Sequence, residues 1–276
     1  MGLVSRIALA GLGAVAAHAA VRAINASAYT KDLERTNFRG STVNLAGGPA
    51  LAVSASVTAA LGAGDARTAA AVVTAGLGSG AFGLYDDIVG ARPEQKGYKG
   101  FRGHLRGLQE GRITGGMAKI AGVGACALLA SAMLPSKRRG FGRVVDVALG
   151  AGVIAGSANL LNLLDLRPGR ALKTGLLLSG PLSTGRKGAM MAGPMGASVA
   201  LLPADLGEEI MLGDTGANAL GAVLGVRVAA GSGRWGRAAV LAIVSALTLT
   251  SEKVSFTKVI EKTPVLRELD GWGRRS

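Results

Sequence analysis

The sequence predicts an all-α membrane protein, a polytopic transmembrane bundle of about nine helical spans with a cleft that faces the cytoplasm. The chain has 276 residues, of which 49% are hydrophobic and 17% charged, whereas soluble domains carry about 25% charged residues. The charges are clustered, and the apolar stretches between them, roughly 17–22 residues long, are sufficient to cross a bilayer as helices. The 44 glycines favour close helix packing in a membrane.

The apolar stretches divide the chain into a membrane domain, 1–251, and a polar C-terminal tail, 252–276. Spaced apolar residues in the tail predict an amphipathic helix at the membrane surface, in two pieces because Pro264 interrupts it. The predicted spans, of which the sixth is short, are 3–22, 44–62, 66–85, 113–134, 142–164, 170–182, 187–204, 210–230 and 235–251.

The basic segments set the orientation of the bundle. Nine spans place 22–40, 86–112 and the tail on one side, which the positive-inside rule makes cytoplasmic. The basic segment 135–143 falls on the other side and argues against this orientation. The net charge of +14 indicates contact with anionic lipid head groups, and no nucleic-acid partner is expected because no basic segment forms a separate soluble module. The N-terminus could be a signal peptide, but a first span is favoured because several spans follow.

Two adjacent carboxylates, Asp86 and Asp87, lie at the end of the third apolar stretch, in LYDDIVG (84–90). Neighbouring helix positions point about 100° apart, so one carboxylate can face a metal or a nucleophile while the other orients it. The alternative is a solvated helix end that the following basic residues neutralise.

A second polar cluster recurs at a spacing of three residues, Asn159, Asn162 and Asp165. This spacing keeps the three side chains within one broad face of a helix. Such a ladder can bind sugar hydroxyls, a uracil-type base or a hydrated metal. The alternative is hydrogen bonding between helices that holds the bundle together.

The third cluster surrounds Asp214, which stands between glycines at the start of an apolar stretch. Gly213, Ala217 and Gly221 form a stripe of small residues that packing explains. Asp214 has no such explanation unless it caps the helix. It could instead hold Mg²⁺, which prefers one or two carboxylates together with phosphate oxygens and water.

The basic loop that follows Asp87 interleaves Lys96, Lys99, Arg102 and Arg106 with glycine and aromatic residues. Cations beside carboxylates and amides favour the binding of a phosphorylated substrate. His104, in the same loop, could act as a general acid or base, but a lone histidine is more often another polar loop residue.

Four segments of the chain resemble one enzyme family. DDIVG (86–90), NLLNLLD (159–165) and GDTGANALG (213–221), with the NFRG…AGGPAL region at 37–51, resemble the polyprenyl-phosphate N-acetylhexosamine-1-phosphate transferases. That family includes the phospho-N-acetylmuramoyl-pentapeptide translocase of peptidoglycan synthesis. The resemblance covers about 37–225 of the chain.

The resemblance implies a phosphoglycosyltransferase of the plasma membrane, with its active face and C-terminus in the cytoplasm. It would transfer a sugar-1-phosphate from a UDP-N-acetylamino sugar to polyprenyl phosphate for cell wall biogenesis, and would require Mg²⁺. Family members are often homodimers. Asp86, Asp87 and Asp214 would be catalytic, with Asp214 and Asp86 as metal ligands. Asn159, Asn162 and Asp165 would face the nucleotide, and Lys96 and Arg102 of the basic loop would contact phosphate.

Two departures from the family pattern leave an alternative open. Pro168 stands where a second aspartate is expected, and the chain has only two histidines, with none after His104. Arg167 and Arg170 could replace lost contacts as donors to a diphosphate. The alternative is a non-catalytic relative that binds lipid phosphate or nucleotide sugar as an envelope-assembly scaffold or regulator. A small transporter is less favoured, because the polar groups gather at one membrane face and not at the midplane.

Overall fold

The computed structural model describes residues 1–90, 92 and 114–275. Within these residues the regular structure is helical apart from one antiparallel hairpin of β1, Glu34–Thr36, and β2, Thr42–Asn44. The helices are α1 Leu3–Asn25, α2 Gly47–Leu61, α3 Ala66–Val89, α4 Gly115–Met133, α5 Gly140–Leu164, α6 Arg170–Leu182, α7 Ala192–Leu206, α8 Gly213–Gly231, α9 Arg234–Ser251, α10 Phe256–Lys262 and α11 Pro264–Gly271.

The prediction of a mainly helical fold is confirmed, and its long apolar helices are consistent with the predicted membrane protein. In the described part of the chain each of the nine predicted segments is helical, and five segments are long and apolar enough to cross a membrane, namely α1, α3, α4, α5 and Gly188–Leu206. The pair α9 and α10, bent by 92°, would count as a sixth if it forms one broken span. The number of nine crossings therefore stays a prediction.

Helix α8 lies at the centre of the bundle. Its residues are buried almost without interruption from Thr215 to Arg227, and it packs against α2, α3 and α5. A Cβ atom added at Gly221 would lie 2.4 Å from the carbonyl oxygen of Ser157 on α5. The small-residue stripe predicted at the start of this helix is therefore part of a close helix contact.

The two ends of the bundle differ in their charged groups. Helices α3 and α5 end, and α4 and α8 begin, at an end that holds Asp86, Asp87, Asp165, Asp205 and Asp214, which we name the carboxylate end. The hairpin joins this end because Asn44 bridges to Ile210. The starts of α5 and α9, with the turns before them at 134–139 and 232–233, form the opposite end, which we name the far end.

The C-terminal tail folds back onto the carboxylate end. It forms two short helices, α10 and α11, separated at Thr263, as Pro264 predicts. The Lys173 ammonium at the start of α6 donates hydrogen bonds to the backbone carbonyls of Leu269, Asp270 and Trp272. These carbonyls are the unpaired acceptors at the end of α11, so a cation there is favourable.

Candidate functional site

Asp87 caps the central helix from a neighbouring one. Its Oδ1 accepts the backbone N–H of Asp214 at 3.1 Å, and its Oδ2 accepts the backbone N–H and the hydroxyl of Thr215 at 3.0 and 2.7 Å. The N-cap residue of α8, Leu212, has no side chain that accepts a hydrogen bond from the first turn. Asp87 therefore supplies the acceptors that the first turn of α8 lacks. Arg35 of the hairpin donates to the Asp87 carbonyl at 2.6 Å.

Asp86 has different partners from Asp87 and meets Asp214 across one lysine. The Nζ of Lys119 on α4 lies 2.8 Å from Asp86 Oδ2 and also contacts Asp214 Oδ2. All three side chains are mostly buried, with 16–27% of each exposed. The two predicted metal ligands therefore converge on a single cationic position, which the Lys119 ammonium fills.

The short distance between α3 and α8 depends on a glycine. A Cβ atom added at Gly83 would lie 2.4 Å from the carbonyl oxygen of Asp214 and 2.7 Å from the nitrogen of Thr215. Backbone can approach backbone this closely only where no side chain intervenes. Gly83 thus brings Asp86 and Asp87, one turn later on α3, to the start of α8.

Asp165 extends the carboxylate end toward the hairpin. It follows the last residue of α5 and accepts a backbone hydrogen bond from Gly213. Burial raises the pKa of Asp165 well above its usual range, and the nearby charges of Asp205, Asp214 and Asp87 raise it further. A buried carboxyl among other carboxylates favours its protonated form or a bound cation.

A cavity of about 230 Å³ opens beside Asp165. Its wall includes the hairpin residue Phe38, and the Arg167 guanidinium lies 4.5 Å from the centre of the Phe38 ring. An aromatic ring covered by an arginine and bordered by carboxylates suits a planar, hydrogen-bonding ligand. The lining residues are Thr36, Asn37, Phe38, Val43, Asp165, Leu166, Arg167, Pro168, Asp205, Glu208, Ile210 and Met211.

The predicted ladder on α5 is only partly directed at this cavity. Of its three residues only Asp165 lines the cavity, and Asn162 is half-buried one turn before Asp165. The Asn159 amide donates to the Thr248 hydroxyl of α9 at 3.1 Å, which is the interhelical hydrogen bond of the alternative interpretation. The expectation that Asn159 faces a nucleotide is therefore not supported by its contacts.

Arg170 requires a correction, because it is not available as a donor to a diphosphate. Its side chain is only 4% exposed. Its Nε and Nη2 donate to the two oxygens of Asp270 at 2.8 and 2.9 Å, and its Nη1 donates to the Thr257 hydroxyl at 2.9 Å. Arg170 holds the tail. Lys96 and Arg102, predicted to contact phosphate, lie outside the described residues, as does His104.

Two charged residues of the site were missed from the sequence, Lys119 and Asp205. Lys119 interrupts the apolar stretch at 113–134, and a lone charge inside a predicted span was the available signal. Asp205 directly follows the predicted span 187–204, and a charged residue is common at the end of such a span. Its buried Oδ2 accepts the Gly169 N–H at 2.8 Å and so fixes the loop that carries Asp165 and Arg167.

The residues present fit a sparsely ligated Mg²⁺ ion. Across residues 1–90, 92 and 114–275, no three acidic, histidine or cysteine side chains are arranged to enclose a metal ion. Asp86 and Asp214, however, already share one cation, Lys119, and Mg²⁺ is commonly held by two carboxylates with substrate phosphates and water. Asp86 and Asp214 would hold such an ion if Lys119 moved aside.

In comparisons with known proteins, neither a family model nor a curated protein matches this chain.

Proposed function

We propose that this protein transfers a sugar-1-phosphate from a UDP-N-acetylamino sugar to a polyprenyl phosphate, forming a lipid-linked sugar pyrophosphate and UMP for envelope glycan synthesis. The observation that carries the proposal is the pairing of Asp86 and Asp214 around Lys119 beside the cavity of Asp165 and Arg167. Phosphoryl transfer needs positioned reactants and neutralised charge more than covalent help, and this arrangement offers both.

In the proposed reaction an oxygen of the lipid phosphate attacks the β-phosphorus of the nucleotide sugar. The bond from that phosphorus to the bridging oxygen breaks, and UMP departs with the electron pair. Lys119 would donate hydrogen bonds to the phosphate oxygens once a substrate draws it from the carboxylates. Asp87 would hold the first turn of α8, and with it Asp214, in position. A bound Mg²⁺ would neutralise the negative charge of the pyrophosphate.

The nucleotide would occupy the cavity. Phe38 with the Arg167 guanidinium over its ring would form one wall for the base, and Asp165 can accept hydrogen bonds from a base or ribose. These groups are close to Asp214, whose charge acts on Asp165. A nucleotide bound there would direct its diphosphate toward Lys119.

The lipid substrate would arrive from the membrane that surrounds the bundle. With nine crossings of the plasma membrane and the carboxylate end in the cytoplasm, the basic segments 22–40 and 86–112 and the tail would all lie on the cytoplasmic side, as the positive-inside rule favours. Asp86 and Lys119 lie at the ends of α3 and α4, two apolar helices long enough to cross. A lipid phosphate at the head-group level could therefore reach them.

A second candidate function is a non-catalytic scaffold or regulator that binds lipid phosphate or nucleotide sugar. The observation that favours it is the Lys119 ammonium, which occupies the position where the predicted metal would be held. The Pro168 carbonyl accepts a hydrogen bond from Arg274 of the tail at 2.9 Å, so the loop that departs from the family pattern is fixed to the tail.

The test is UMP release by purified full-length protein given Mg²⁺, polyprenyl phosphate and a panel of UDP-amino sugars. Wild type should release UMP with one sugar, whereas Asp214→Asn and Lys119→Gln should lose at least about a hundredfold in rate. Asp32→Asn, the same change at an exposed position, is the matched control and should keep the wild-type rate. Silence from wild type with lipid phosphate still bound would favour the scaffold.

A further inference from the structure

The far end carries a dense group of cations that the proposed reaction does not use. They lie in the turn before α5, in the first turn of α5 and in the first turn of α9, and they include the basic segment 135–143 that opposes the predicted orientation. We name them the far-end cluster: Lys137, Arg138, Arg139, Arg143, Arg234 and Arg237.

One acidic side chain faces the far-end cluster in the described structure, Asp146 on α5. Its Oδ1 accepts Nε and Nη2 of Arg234 at 3.0 and 2.9 Å, and its Oδ2 lies 3.6 Å from Nε of Arg138. Ser136 also donates to Asp146. One carboxylate among six cations leaves the cluster strongly positive.

The remaining cations of the cluster have few partners. Arg143 donates to the Ala132 carbonyl at the end of α4, and Arg237 Nη1 lies 3.4 Å from the Asp146 carbonyl. The buried Nε of Arg237 makes no hydrogen bond to any described group. Lys137 and Arg139 are exposed, and neither forms a hydrogen bond or an ion pair with the residues placed by the structure. Several donors are therefore free for an anion.

Two exposed aromatic rings adjoin these cations. Phe141 begins α5 and is 82% exposed, and Trp235 begins α9 and is 86% exposed. The two helices pack side by side, since a Cβ atom added at Gly156 would lie 2.6 Å from the Val244 side chain. Tryptophan and other aromatic residues at the ends of membrane helices lie at the head-group level. The cations beside them are therefore at the depth of lipid phosphates.

We propose that the far-end cluster binds the phosphate of an anionic phospholipid head group, with Phe141 and Trp235 at the boundary between head group and acyl chain. Arginine and lysine are the usual donors to phosphate, and basic pockets between membrane helices bind anionic head groups. Helices α5 and α9 both begin here without a capping side chain, so their free N–H groups add to the attraction. The inference is independent of the transferase proposal, whose site lies at the other end of the bundle.

Tryptophan fluorescence can test this proposal, because the chain has only two tryptophans. Trp272→Phe leaves Trp235 as the only reporter, next to the cluster. The purified full-length variant would be placed in nanodiscs of phosphatidylcholine that contain an equal mole fraction of either brominated phosphatidylglycerol or brominated phosphatidylcholine. We expect the brominated phosphatidylglycerol to quench Trp235 at least twofold more strongly.

The charge dependence is tested in the same background with Lys137→Gln and Arg139→Gln together. This pair should lower the quenching ratio of the two lipids toward one, because both cations are exposed and no described residue forms a hydrogen bond or ion pair with them. The matched control, Arg22→Gln with Lys31→Gln, removes two exposed cations at the carboxylate end and should keep the ratio of the Trp272→Phe parent. Equal quenching by the two lipids in the parent protein, or an equal loss in both double variants, would overturn the proposal.

Discussion

Asp87 and Asp214 are joined by a hydrogen bond of 3.1 Å from the backbone N–H of Asp214 to the carboxylate of Asp87. Two motifs that stand far apart in the sequence thus meet through a helix cap. The adjacent aspartates therefore have different contacts, since Asp87 caps the start of α8 while Asp86 contacts Lys119. This difference agrees with the angle of about 100° between neighbouring helix positions.

Removal of this cap should destabilise the bundle. Asp87→Ala takes away the acceptors of two backbone N–H groups and of the Thr215 hydroxyl, and loss of a cap costs about 0.5–2 kcal/mol. We expect a lower unfolding temperature in detergent, measured by the loss of helical circular dichroism. Asp32→Ala, at an exposed position, is the control. Equal unfolding temperatures for the two variants would show that the cap contributes nothing.

The contact between α3 and α8 should not tolerate a methyl group. Gly83→Ala would place Cβ 2.4 Å from the Asp214 carbonyl oxygen, and overpacking of a tight contact costs about 1–3 kcal/mol. The control is Gly124→Ala on α4, which meets no atom within 4 Å and should be neutral or stabilising, because alanine favours a helix. We expect only Gly83→Ala to lower the unfolding temperature, and the opposite order would contradict the packing.

Lys119 should compete with a divalent cation for Asp86 and Asp214. In Lys119→Gln the two carboxylates lose their shared ammonium, so we expect Mg²⁺ to bind more tightly than in wild type. The measurement is the rise in unfolding temperature with Mg²⁺ concentration, since a ligand of the folded state stabilises it. Lys31→Gln, an exposed site at the same end, should respond like wild type. A Lys119→Gln curve identical to wild type would mean that no metal binds between the two aspartates.

The sequence predicted the helices well because a membrane span requires a long apolar stretch, and the edges of those stretches are visible as charges. The partners of individual side chains were harder to predict. Asn159 has the spacing of a site residue, yet its amide bonds with Thr248, which lies 89 positions later. No local pattern reveals such a partner.

The partner of Arg170 was also not predictable from the local sequence. Its position after the α5 motif favoured a phosphate contact, but the tail supplies Asp270, 100 positions away, as its partner. Lys119 had a visible signal, one charge in an apolar stretch, but its partners on α3 and α8 depend on how three helices assemble. The carboxylate end was therefore predictable as a group of motifs, and its pairings were not.

The docked tail should depend on the charge of Asp270. Asp270→Asn removes a carboxylate that accepts from Arg170 and Arg274 and leaves the nearly buried Arg170 without its counter-ion, which is costly. We expect the amides of α10 and α11 to exchange with deuterium several-fold faster in this variant. Glu268→Gln, an exposed change on the same helix, should leave their exchange unchanged.

Acid should release the tail in the same way. Burial opposes the ionisation of Asp270, but hydrogen bonds from Arg170 and Arg274 lower its pKa below the ordinary value of 3.8. A lowered pKa stabilises the docked state above the ordinary value, and this contribution is lost as the pH falls through the lowered one. Exchange in α10 and α11, corrected for its intrinsic pH dependence, should therefore stay slow down to about pH 4 and rise below it. Asp270→Asn should show no such rise, and a rise of equal size in the variant would mean that another group controls the tail.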